Sequence, residues 1–301
     1  MADFTAKDVQ ALREQTGIGM MECKKALTEA EGDFEKAVVI LREKGLASQE
    51  KKAGRITAEG IVSVYIEGRI GTIIEVNSET DFVAKNDDFR GFVETCAKAI
   101  VRDNPKDVEA LLASSVDGNT IDEILREKIF TIGENLKIRR FERQEGILIP
   151  YIHGGGTHAV LVKFNTSDEI AAKEEFVLFG KDIAMQIAAA SPKFLSKDEI
   201  PSADLDNELK ILLNQALNEG KPQNIAEKMV AGRINKYYKD VVLLEQPFVK
   251  DDKISIAKYV ENTEKQLGGS ISIVSFTRYE KGEGLEKRND NFAEEVASMQ
   301  K

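Results

Sequence analysis

Hydrophobic positions recur at spacings of three and four through the first 45 residues, which predicts short helices. Thr5 can cap a first helix carrying Val9 and Leu12, and Gly17 and Gly19 break it. A second carries Met21, Cys23, Ala26, Leu27 and Ala30. Gly32 and Asp33 stop that helix and cap a third, with Phe34, Ala37, Val38 and Leu41 on one face. Three short helices in so few residues form a small bundle with a thin core. The polar stretch GLASQEKKAGRITAEG, residues 45–60, reads as a linker.

From residue 59 the period changes to two. EGIVSVYI (59–66) and RIGTIIEVN (69–77) predict a hairpin whose turn uses Gly68 and Gly71. A helix from about Asp87 to Arg102 follows, with Phe89, Phe92, Val93, Cys96 and Ile100 on one face, started by Asp87 and Asp88. Another runs through Ile121, Leu125, Ile129 and Ile132, and a strand is expected near Leu136–Phe141. The same order then recurs. EGIVSVYI returns as EGILIPYI at 145–152, an offset of 86, and IIEVN returns as VLVKFN at 160–165. A second amphipathic helix, with Phe176, Phe179, Ile183 and Ile187, follows. The repeat predicts an α+β fold built on two related subdomains, each an antiparallel sheet with helices.

After Pro192 two leucine-rich stripes, Leu205–Leu217 and Ile225–Tyr237, flank the break Gly220-Lys221-Pro222 and predict a helical hairpin. Strand-like patterns resume at Val241–Leu244 and Ser270–Tyr279. A charged, helical tail is expected at Asn289–Lys301.

Composition narrows the function. The 301 residues hold 42 Lys and Arg against 52 Asp and Glu, a formal charge of −10. A basic surface is what phosphate backbones and anionic lipids require, so direct nucleic-acid and membrane binding are disfavoured. Two histidines, two cysteines and no tryptophan leave little material for metal sites, disulfides or histidine-based catalysis. Cys23 and Cys96 both lie in helical patterns and read as buried free thiols. The start MADFTAKDVQALREQ lacks the apolar region of a secretory signal, and no run of 18 apolar residues occurs. The chain reads as cytoplasmic.

Four segments invite chemistry. His153-Gly154-Gly155-Gly156 resembles an oxyanion-hole loop, yet it needs a nucleophile elbow. The nearest candidate, Gly268-Gly269-Ser270-Ile271-Ser272, lacks the final glycine and precedes a strand. By the repeat, the three glycines are simply the second hairpin's turn. Gly17-Ile18-Gly19 follows a helix, not a strand, so it reads as a helix end rather than a phosphate loop. His153 and His158 flank the glycine turn without metal-ligand spacing. The fourth segment is Ser78–Lys85, SETDFVAK. Ser78 and Asp81 fit a capping box, but Phe82 has no apolar stripe to join. Its counterpart in the second copy is Ile170, and that of Asp81 is Glu169. From pattern alone, Phe82 is equally a core residue or a protruding interaction anchor.

At these residues a resemblance becomes specific. TGIGMMECKKAL (16–27), TDFVAKNDDF (80–89), IGENLKIRR (132–140), GKPQNIAEKMVAGR (220–233), QPFV (246–249) and EKGEGLEKR (280–288) resemble, in order, the bacterial-type elongation factor Ts family. The resemblance implies a guanine-nucleotide exchange factor for the GTPase elongation factor Tu, with no catalytic residues, metal or cofactor of its own. It implies a ubiquitin-associated-like three-helix domain with its linker at 1–54 and a core N-subdomain at 55–143. A core C-subdomain at 144–200 and 239–279, a helical-hairpin insertion at 201–238 and a C-terminal module at 280–301 complete it. The family's partner-binding motif falls on Thr80, Asp81, Phe82 and Val83, with the aromatic ring wedged near the magnesium of the GTPase. Its Ile-Gly contact falls on Ile132 and Gly133, and its second-hairpin histidine on His153. Its Met-Met pair falls on Met20 and Met21. One-to-one binding, a dimer, and a two-plus-two assembly with the GTPase all stay open. A plain binding module recruiting another partner, and a Ser270 hydrolase, are the competing classes.

Overall fold

In the computed structural model the structure describes residues 4–286. Helices α1 (Ala6–Thr16), α2 (Met20–Glu29) and α3 (Phe34–Lys52) form the N-terminal bundle. Thr5 and Asp8 close a reciprocal capping box on α1, Gly17 ends it in the left-handed region, and Asp33 caps α3 through the Lys36 N–H. The bundle buries Leu12, Cys23, Leu27 and Leu41. The predicted linker is overturned in its first half: α3 continues through Gly45 to Lys52. That extension lies along a later helix, whose Phe130 packs on the bundle core and whose Ile129 carbonyl accepts from Lys52 Nζ at 2.9 Å. A surface for the extension to pack on is a tertiary fact that a polar sequence does not announce.

The core has two halves of one design. Strands β1 (Glu59–Glu67) and β2 (Ile70–Ser78) are followed by α4 (Asp87–Asp103), the short α5 (Val108–Leu112), a small β3–β4 hairpin (Ser115–Val116, Asn119–Thr120) and α6 (Ile121–Ile132). β5 (Lys137–Glu145) then pairs with β2, giving the order β1-β2-β5. The second half repeats this with β6 (Ile147–His153), β7 (His158–Asn165), α7 (Asp168–Ala171) and α8 (Glu174–Ala190). An antiparallel hairpin of α9 (Ser202–Asn218) and α10 (Gln223–Val241) is inserted next. A small β8–β9 hairpin (Pro247–Phe248, Asp251–Ser255), α11 (Ile256–Leu267) and β10 (Ser272–Glu280) follow, and the sheet order is β10-β7-β6. All neighbours in both three-stranded sheets are antiparallel. The fold is α+β, and each central strand is the second strand of its hairpin.

The sheets stack face to face, with helices on each outer side. The period of two sorts the side chains. Ile74 and Val76 of β2 face a core shared with α4 and α6, whereas Ile73 turns to a seam between the sheets with Val62, Ala159 and Leu161. In the second half Val160, Val162 and Phe164 face α8 and α11. β2 is therefore buried on both faces, and even Thr72, Glu75 and Asn77 are inaccessible. Both cysteines are free and buried, and burial pushes both thiols up.

Other expectations change. Val241–Leu244 is not a strand: after the end of α10 the chain forms a single 3-10 turn at Leu243–Glu245, and Val242 makes only an isolated bridge to Phe194. Gly71 lies within β2, not in the turn. Helix α11, capped by Ser255, is absent from the expectations above although Ile256, Tyr259, Val260, Thr263 and Leu267 recur at helical spacing. Within the α9–α10 hairpin only Leu212, Ala216 and Ala226 are buried. The expected tail at Asn289–Lys301 lies outside the described residues. Among the described residues no helix is long and apolar enough to cross a membrane.

Candidate functional site

The segment between β2 and α4 is a braced turn. Val83–Lys85 forms a single 3-10 turn, with the Lys85 N–H on the Phe82 carbonyl at 3.1 Å and the Asn86 N–H on that of Val83 at 2.9 Å. Val83 and Ala84 point inward and are buried. Asn86, not Asp87 or Asp88, caps α4, accepting from the Phe89 N–H at 3.1 Å. The two aspartates occupy the first turn instead, where the helix dipole favours them. The expected Ser78–Asp81 capping box does not form, because Ser78 Oγ donates to the Thr80 carbonyl at 2.9 Å.

Held at both ends, the turn turns Phe82 outward. Phe82 is 78% exposed, more than any other large hydrophobic residue among the described ones. Its counterpart Ile170, on α7, is buried in the second core. The two copies therefore use one topological position in opposite ways, and the reading of Phe82 as a core residue is excluded. Lys85 lies over the ring, its Nζ 5.8 Å from the centroid, and forms an ion pair with Asp81 at 3.0 Å. That hydrogen bond holds the Asp81 carboxyl below the usual carboxylate range.

A reciprocal clamp sets the angle of the turn. Thr80 donates to Glu134 twice, from its N–H at 3.0 Å and its hydroxyl at 2.6 Å. The Asn135 N–H donates back to Glu79 at 2.6 Å, and Arg55 donates to the same carboxylate at 3.1 Å. Glu134 and Asn135 directly follow Gly133, which ends α6 in the left-handed region with φ 86°. Phe82, Val83, Thr131 and Ile132 thereby line one shallow hollow, with Gly17 of the bundle at its side. Sequence reasoning missed Glu79, Glu134 and Asn135 as positioning residues. Their only signal was membership of the SET and GEN stretches.

Of the remaining candidates, Met20 and Met21 open α2, three and four residues after Gly17, and are 41% and 64% exposed. His153 is on a separate element. It sits exposed at the end of β6, opposite His158 in register, with Nδ1 3.1 Å from the Tyr151 hydroxyl. The turn beyond it holds Gly154, Gly155 and Gly156 at φ 58°, 66° and 109°. A Cβ on Gly156 would lie 2.9 Å from that of Ile61, so the turn can back onto β1 only as glycine. Ser270 lies in the turn between α11 and β10, and a helix-to-strand turn is the reverse of a nucleophile elbow.

A family model described as "Elongation factor TS" matches residues 79–283, from the first clamp residue to just past the last strand of the second sheet. The chain belongs to the elongation factor Ts family. It is 51% identical over 302 aligned positions to Elongation factor Ts of Clostridium perfringens, covering 98% of this chain and 99% of that one. It is 52% identical to the Elongation factor Ts of Clostridium kluyveri, over 97% of each chain. With that of Clostridioides difficile it shares 48% identity over the whole of both chains. Membership in the elongation factor Ts family implies a nucleotide exchange factor for elongation factor Tu in translation, rather than a catalyst of a chemical reaction.

A second device locks the elongation factor Ts core beside the Phe82 turn. Glu75 is completely buried in β2. It accepts from Arg139 at 2.9 Å, Arg140 at 2.6 Å, Asn77 at 3.1 Å and the Gly282 N–H at 2.8 Å. Burial works to raise its pKa, but the hydrogen bonds together outweigh burial and hold it below the usual value. Gly282 has φ 70°, and a Cβ there would sit 2.2 Å from the Ala58 carbonyl oxygen. The segment after β10 is thus pinned to the first sheet.

Proposed function

We propose that this chain accelerates GDP release from elongation factor Tu by inserting Phe82 beside the magnesium-binding side of the nucleotide pocket. The carrying observation is a large aromatic ring held in solvent on a clamped turn, where the twin subdomain buries an isoleucine. A GTPase holds GDP through a phosphate-cradling loop and a bridging Mg²⁺. An exchange factor needs no general base. It must bind best to the state in which those contacts are broken. Phe82 buries its apolar area only when the pocket opens, and Asp81, released from Lys85, competes for polar contacts nearby. Thr80 and Val83 hold the turn, while Ile132 and Gly133 extend its contact.

Met20 and Met21 dock the N-terminal domain on a helix of the GTPase domain, and His153 meets the GTPase's third domain. We assign residues 1–54 to docking, 55–143 to the wedge, 144–200 with 239–279 to the second contact, 201–238 to the hairpin and 280–301 to a C-terminal module. The acidic charge directs this work in the cytoplasm to a protein rather than to RNA. Coupling is reciprocal: whatever factor the protein takes from nucleotide affinity, nucleotide takes from its own. GDP and GTP therefore both displace it, and concentrations set direction. The test is release of a fluorescent GDP from elongation factor Tu with catalytic amounts of the chain. Failure to accelerate release favours a plain binding module. Mass measurement of the nucleotide-free complex decides between one-to-one and two-plus-two assembly.

A further inference from the structure

We infer that Arg90 is a positioning residue that ties the Phe82 turn to the His153 hairpin, so that the two contact elements meet the GTPase as one rigid body; this rests on the exchange-factor reading above. Arg90 lies in the first turns of α4 and contacts both elements at once. Its Nε donates to the Ala84 carbonyl, two residues past Phe82, at 3.0 Å. Its Nη2 donates to the Gly155 carbonyl, two residues past His153, at 3.1 Å. These elements belong to different subdomains, and Gly155 lies 65 residues beyond Arg90 in the chain.

The chemistry of the side chain matters. A guanidinium presents donors in a fixed planar fork, so one group can hold two carbonyls that face it from different directions. A lysine ammonium at the same place reaches one or the other. A cation near a helix N-terminus is also disfavoured by the dipole. The side chain nonetheless engages two main-chain oxygens rather than Asp87 or Asp88, its acidic neighbours. The hairpin end of the strap is itself stiff, because the Val62 N–H donates to the Gly156 carbonyl at 2.8 Å. Motion of the Phe82 turn is thereby referred to the second sheet as well as to its own.

The full-length chain carrying Arg90→Lys, which keeps the charge and loses the bridge, is the test. Arg90 is exposed, and its thermal midpoint is expected to match that of the parent. Exchange on elongation factor Tu is expected to fall about fivefold in kcat/KM. Amide hydrogen exchange is expected to speed up in both 82–86 and 154–157. Phe82→Ala and His153→Ala supply the decisive readout. In the parent background their joint loss is expected to differ from the product of the single losses by about threefold or more, and in the Arg90→Lys background the two should multiply. Parental exchange by Arg90→Lys, additivity in the parent, or coupling that persists without the bridge each overturns the inference. An unimpaired Phe82→Ala protein instead overturns the exchange reading itself, so the two failures are distinguishable.

Discussion

Phe82→Ala is the sharpest perturbation of the proposed wedge. A phenylalanine side chain carries about 200 Å² of surface. At 78% exposure, about 150 Å² is free to be buried by a partner. At about 25 cal/mol per Å² that is a ceiling of about 4 kcal/mol. Ordering the side chain takes back about 1 kcal/mol, leaving about 3 kcal/mol, or about 100-fold at 1.4 kcal/mol per decade. The cost to folding should stay within about 0.5 kcal/mol, because the ring touches little in the free chain and Val83 and Ala84 keep the turn seated. We therefore expect GDP release catalysed by Phe82→Ala to be slowed more than tenfold, and near 100-fold if the ring is fully buried in the open state. Stopped-flow release of fluorescent GDP measures the rate, and a thermal melt checks the fold. Ile170→Ala, at the twin position, should do the converse: about 2–5 kcal/mol less stable, with parental exchange per folded molecule. Parental release rates in a folded Phe82→Ala protein would refute the wedge.

Glu134→Ala removes both acceptors of Thr80 and should cost about 1–3 kcal/mol of local order, read as faster amide exchange over 79–86 and exchange activity reduced at least fivefold. Met20→Ala with Met21→Ala should raise the apparent KM for elongation factor Tu several-fold in steady-state exchange while leaving stability nearly unchanged, since both side chains are exposed. Glu75 has a folded pKa below its ordinary 4.5, so its contribution is complete above that value and is lost as pH falls through the folded one; urea midpoints between pH 3 and 7 should show an acid-side decline that Glu75→Gln flattens. Gly282→Ala forces a Cβ against the Ala58 carbonyl and should lower the melting temperature by several degrees in a calorimetric scan.

Much of the fold was legible because each signal was local. Hydrophobic period distinguishes α4 and α6 from the strands around them, and repetition of the EGI and YI anchors marks two related sheets in the sequence itself. The errors have a common cause. α3 runs past its expected end because α6 offers it a surface, and the 241–244 segment bonds to the irregular segment 193–195 instead of joining either three-stranded sheet. The Thr5 and Asp33 caps form as expected, whereas the cap of α4 is Asn86 rather than Asp87, since Asn and Asp are near equals as caps and only backbone geometry chooses between them.

The sequence by itself determined the periods, the repeat, the acidic balance and the family blocks, all carried by residues close together in the chain. Whether Phe82 belongs to a core or to solvent was not among these, because an isolated aromatic looks the same in either setting. Tertiary structure decided it. Glu134 and Asn135 come back more than 50 residues later to hold Thr80 and Glu79, the buried Val83 and Ala84 fill the space below, and the ring is left outside. Exposure is a property of what else arrives at a place, and no local pattern encodes that.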